Sequence, residues 1–142
     1  MRGLAVLIFA LLLRAPPALA AEHSITSPGG VLTAVVSDQG NLHYRVEAGG
    51  QPLVVDSALG LSFADGTKLG PSAVMSGVSR SAHDGSWRND FGNRRTVRER
   101  WSEARLVLAD RSGGASSRSF GLIVRVFDDG LASATICRNA RG

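Results

Sequence analysis

Turn-forming clusters cut this chain into short segments, and that spacing limits the fold more than any other feature. Asp38-Gln39-Gly40-Asn41, Gly49-Gly50, Ala64-Asp65-Gly66-Thr67 and Asp128-Asp129-Gly130 each favour a tight reversal. The segments between them alternate apolar and polar residues. Leu42, Tyr44 and Val46 alternate with His43, Arg45 and Glu47. Phe120, Leu122, Val124 and Val126 alternate with Gly121, Ile123, Arg125 and Phe127, the clearest strand of all. A side-chain period of two is that of a half-buried strand. Short strands with turn signals every roughly 8–12 residues predict an all-β antiparallel sandwich.

Further strands are expected at Val31–Ser37, Pro52–Val55, Leu59–Phe63 and, more weakly, Val74–Ala82. His83-Asp84-Gly85-Ser86 reads as a loop, and Trp87–Arg95 as irregular. Val97–Ala109 lacks Gly and Pro and is ambiguous with helix; it is read as a strand. Val97, Glu99, Trp101 and Glu103 share one parity, which Leu106 and Leu108 join only if a bulge falls near Ala104.

The first twenty residues read as a secretory signal peptide, residues 1–20. Met1-Arg2 is a positive start, Leu4–Leu13 an apolar run, and Ala18-Leu19-Ala20 a small-residue cleavage site near Ala20 or Ala21. The run is well short of the roughly 20 residues that cross a bilayer, so no membrane span is expected. The remaining length, about 120 residues, suits one sandwich domain. The chain has 16 Lys+Arg and 12 Asp+Glu, but Arg2, Arg14, Arg138 and Arg141 lie at its two ends. Without them the body is neutral, which removes the electrostatic basis for binding nucleic acid. The single cysteine, Cys137, has no partner for an internal disulfide.

No pattern of catalytic or metal-binding residues emerges. Asp128-Asp129 could donate oxygens to calcium but fits an ordinary turn better. His23, His43 and His83 are scattered without metal-ligand spacing. Cys137 has no histidine placed beside it, and no carboxylate pair is spaced for glycosidase chemistry. Arg94, Arg95, Arg98, Arg100 and Arg105, interleaved with Glu99 and Glu103 and flanked by Asp90, suggest a solvated ion-paired face or a domain contact. Trp87 and Trp101 read as core or contact aromatics, with a sugar-stacking platform as the alternative.

The order of these motifs resembles the N-terminal domain of glycoside hydrolase family 97. The resemblance runs through "SPGGVLTAVVSDQGNLHYRVEAGGQPLVVDSALGLSF" (27–63), "SWRNDFGNRRTVRERWSEARLVL" (86–108) and "FGLIVRVFDDGLA" (120–132). Asn93 stands where the family usually has an acidic residue, and Trp101 replaces a tyrosine. The pattern stops at Ala132, where Phe-Arg-Tyr should follow. One extra base after that codon would restore Phe-Arg-Tyr-Asp-Leu-Pro-Glu-Arg, so residues 133–142 read as an out-of-frame tail.

The domain is therefore expected to span 22–132 as a sandwich of the super-sandwich type, incomplete at the C-terminus. Phe120–Phe127 should then have no proper partner after its turn. The resemblance implies an exported bacterial protein, periplasmic or extracellular. It also implies a parent α-glucosidase or α-galactosidase acting on α-linked oligosaccharides. The parent's (β/α)8 barrel, absent here, would carry catalysis and most calcium ligands. No catalytic or metal residue is transferred to this chain, no cofactor is assigned to it, and its carbohydrate-binding residues remain unassigned. The chain alone is expected to be inactive. The competing expectation is a self-standing exported carbohydrate-binding or adhesion module.

Overall fold

The computed structural model describes residues 22–66, 68–111 and 118–137. The expected signal peptide and the end of the expected out-of-frame tail, residues 138–142, lie outside them. Ten strands form and no helix does among the described residues: β1 (Glu22–Thr26), β2 (Leu32–Ser37), β3 (His43–Ala48), β4 (Gln51–Ala58), β5 (Leu61–Ser62), β6 (Lys68–Leu69), β7 (Ala73–Arg88), β8 (Thr96–Asp110), β9 (Arg118–Val126) and β10 (Leu131–Cys137). They make one sheet of order β1-β2-β3-β4, a second of order β10-β9-β8-β7, and the small β5–β6 pair. All described pairings are antiparallel.

One core joins the two four-stranded sheets. The first contributes Ile25, Leu32, Ala34 and Val36; the second contributes Ala104, Leu106, Leu108, Phe120, Leu122, Val124 and Val126. This is the expected sandwich, built from the inward parity of alternating strands. The Arg80 guanidinium ties the layers by donating to the Ser24 carbonyl at 2.6 Å. Two acidic residues hold the crossover between the sheets. Asp110, buried, accepts from the Gly70 amide at 2.6 Å, and Asp38 accepts from the Met75 amide at 2.7 Å. Gly70 sits at φ 117°, and a Cβ there would lie 2.4 Å from the Leu59 carbonyl oxygen, so only glycine fits this passage.

Three expectations are corrected. His83–Ser86 is not a loop: it lies within β7, opposite Arg98–Trp101 of β8. β7 is an edge strand with most of its residues exposed, so its sequence carries little alternation. Cross-strand contacts outweigh the Asp84-Gly85 turn signal: Arg98 donates to Asp84 at 3.0 and 3.2 Å, and His83 stacks on Trp101. No bulge falls near Ala104, because β8 keeps unbroken register with β9 throughout. Ala104, Leu106 and Leu108 face the core, whereas Trp101 and Glu103 point to the opposite face. Finally, Phe120–Val126 does have a partner: β10 pairs with it from Leu131↔Val126 to Cys137↔Phe120. Ladder bonds need only backbone, so a segment without strand patterning can still extend a sheet. Its side chains from Ala132 to Cys137 are all exposed, on both faces.

Strand β1 had no sequence signal, since only Ile25 in "EHSIT" is buried.

Candidate functional site

The outer face of the second sheet gathers the polar and aromatic residues that the odd parity of β8 carries outward. His83 stacks on Trp101 with ring centroids 5.4 Å apart and an interplanar angle of 23°. The Arg125 guanidinium lies 4.0 Å from the Trp101 ring centre, a cation–π contact. Trp101 Nε1 donates to Glu99 at 3.2 Å. The indole is thus engaged by an imidazole, a guanidinium and a carboxylate, which leaves it unsuited to be a sugar platform.

Glu103, 1% exposed, accepts from Arg105 Nε at 2.7 Å and from Arg125 Nε and a terminal nitrogen at 2.9 and 2.6 Å. Burial pushes its carboxyl upward, and the hydrogen bonds from Arg125 and Arg105 overcome that push. The net effect holds the group below the ordinary carboxylate range. Sequence reasoning missed this cluster. The available signal was the shared outward parity of Glu103 and Arg125 on adjacent strands, which only the register reveals.

Asp128 is a turn residue with a structural task. Its carboxylate accepts from the Gly29 amide and from Arg100, each at 2.6 Å, and these contacts with Ser27 hold its pKa down. It therefore locks the Ser27–Gly30 turn to the end of β9. The neighbouring turn closes by Phe127 donating its amide to the Gly130 carbonyl at 2.8 Å. The arginine run is the ion-paired face that the sequence suggested: Arg98 pairs with Asp84, Arg100 with Asp128 and Arg105 with Glu103. Arg94 and Arg95 lie in the exposed hairpin connection. His23, His43 and His83 stay apart, on β1, β3 and β7, and Cys137 is exposed at the end of β10. Among the described residues no three His, Cys, Asp or Glu side chains gather to hold a metal ion.

Beside the cluster, a groove of about 520 Å³ opens near the end of the β7–β8 hairpin, between Trp87 and Val97 on one side and Phe127 and Asp129 on the other.

The profile of the glycosyl-hydrolase 97 N-terminal family matches residues 25–133. The chain belongs to this family. Solved structures agree on the fold. A family 97 glycoside hydrolase from a Pseudoalteromonas species, in complex with acarbose, superposes with TM-score 0.76 at 20% identity, covering 83% of this chain and 18% of that one. A variant in complex with panose, from the same genus, gives TM-score 0.75 with the same identity and coverage. A beta-arabinopyranosidase gives TM-score 0.67 at 21% identity, covering 78% of this chain and 17% of that one. Among curated proteins no relative matches. The family 97 domain described here thus spans less than a fifth of the enzymes it superposes on, and at these identities the likeness concerns the fold. Among the described residues no helix is long and apolar enough to cross a membrane.

Proposed function

We propose that this chain is the N-terminal sandwich of an exported bacterial α-glucosidase- or α-galactosidase-type enzyme, where it supports a (β/α)8 barrel and contributes to binding an α-linked oligosaccharide. The observation that carries this reading is the coverage: the chain aligns along most of its own length with a small share of each enzyme. Exposed apolar side chains support a docking role. Leu53, Val55, Leu61 and Phe63, on edge strand β4 and in the segment that follows it, are exposed. Export rests on the signal-peptide layout of residues 1–20. An out-of-frame origin for residues 133–142 rests on the Phe-Arg-Tyr that one extra base after the Ala132 codon would restore.

The test is the DNA that follows this reading frame. It is expected to encode, in a shifted frame, the rest of the sandwich and then the alternating strands and helices of a barrel. Unrelated DNA would contradict the enzyme reading and favour a self-standing carbohydrate-binding module.

A further inference from the structure

The groove beside Trp87 has the chemistry of a sugar subsite. Trp87 is half exposed on β7, opposite Val97 of β8. Among the described residues it stacks on no other ring and carries no guanidinium, in contrast to Trp101. Phe127 lines the same groove, with two carboxylates beside it: Glu99, which also accepts from Trp101 Nε1, and the exposed Asp129.

The walls are fixed before any ligand arrives. Asn89 donates its amide to the Arg95 carbonyl at 2.9 Å and closes the hairpin beyond Trp87. Asp128, clamped by Gly29 and Arg100, anchors the turn that holds Phe127 and Asp129. Such preorganisation lowers the ordering cost of binding. The volume lies within the roughly 300–1,000 Å³ of small-molecule sites. A dry protein interface is a poorer fit, because interface cores are depleted of carboxylates and this lining includes Glu99, Asp128 and Asp129. A pyranose has the matching surface: an apolar C–H face for the indole and a rim of hydroxyls that donate to carboxylates.

We propose that this groove binds one pyranose unit of an α-linked oligosaccharide, with Trp87 as the stacking platform and Glu99 and Asp129 as hydroxyl acceptors. The choice of an α-linked sugar rests on the function proposed above; the groove itself does not.

The probe is maltotriose, titrated into the purified chain carrying Trp101→Phe, so that Trp87 is the sole indole. A saturable change in its emission in the millimolar range is expected. In the chain that retains Trp101, Trp87→Ala should weaken maltotriose binding, followed by ligand-observed NMR, by about tenfold or more, as loss of a stacked aromatic does. Asp129→Asn should weaken it by a smaller factor. Trp87→Phe, which keeps an aromatic face, should restore part of the affinity, and far-UV circular dichroism should be unchanged in each variant. If Trp101→Phe fails to fold, 5-fluorotryptophan labelling of the unsubstituted chain reads the same site, with the Trp87 resonance assigned by its loss in Trp87→Phe. A folded chain whose Trp87 signal ignores maltotriose, or Trp87→Ala binding as tightly as the unsubstituted chain, would overturn the site. So would a Trp87 that responds only to the remainder of the enzyme, since that makes it a domain contact. Maltotriose binding with unrelated downstream DNA would sink the enzyme reading and leave the site standing.

Discussion

Leu108→Ala is expected to cost about 3–5 kcal/mol of stability, the upper range for deleting a buried leucine. Leu108 is 0% exposed and sits in the shared core with Leu106, Phe120 and Leu122. It lies midway across the second sheet, paired with Phe120 of β9 and Met75 of β7, so neighbouring backbone has little freedom to close the cavity. Val107, the next residue, points to the outer face and is 50% exposed. Val107→Ala should stay within roughly 0.5 kcal/mol of the unsubstituted chain. Urea unfolding of the two variants measures both. If Val107→Ala were the more damaging of the pair, the parity of β8 would be the reverse of that described here.

Arg125→Met is expected to cost about 1.5–3 kcal/mol near neutral pH, because it removes charge-assisted hydrogen bonds from a buried carboxylate that keeps only Arg105. Arg125 supplies two of the three hydrogen bonds from arginine to Glu103 and the cation over Trp101. The pH dependence should change with it. In the unsubstituted chain the folded-state pKa of Glu103 lies below its ordinary value. Its contribution is therefore fully present above the unfolded-state pKa and is lost as pH falls through the folded one. With Arg125 gone, burial is opposed by Arg105 alone and the carboxyl pKa rises. Acid destabilisation should then begin nearer neutrality. The double variant Glu103→Leu/Arg125→Met should recover much of the loss, since neither charge remains to be desolvated. Thermal melts across a pH series test this; an Arg125→Met melt parallel to the parent's at every pH would remove Glu103 from the account.

The parts of the fold legible in the sequence were those where one face is wet and the other dry. β9 shows this best: its buried residues Phe120, Leu122, Val124 and Val126 fall on alternate positions. β7 was legible only near its start, because an edge strand exposed along most of its length has no pattern to read. β1 and β10 escaped for a related reason. Their pairing is carried by backbone, and each buries one side chain or none. On β8 the outward run Trp101 and Glu103 is itself partly buried beneath Arg125, so both faces look like core and parity alone cannot choose between them. The charge pairing of the arginine run was foreseen. The burial of Glu103 was not, because it depends on a cross-strand neighbour 22 residues away.

The carboxylates of the domain bear directly on its role. Glycoside hydrolysis needs a general acid that stays protonated near neutral pH, which means a raised pKa. Here Glu103 is held down against burial by Arg125 and Arg105, Asp84 by Arg98, Asp128 by Arg100, and Glu22 by Arg45. Arginine partners keep each of these groups ionised, the opposite of what an acid catalyst requires. The most direct test of this sandwich as a supporting domain, with its chemistry housed elsewhere, is hydrolysis of an aryl α-glucoside by the purified 142-residue chain. The account predicts no turnover above the uncatalysed rate, with or without added calcium. Turnover that disappears when one of the chain's own carboxylates is changed to the amide, as in Glu103→Gln, would contradict it.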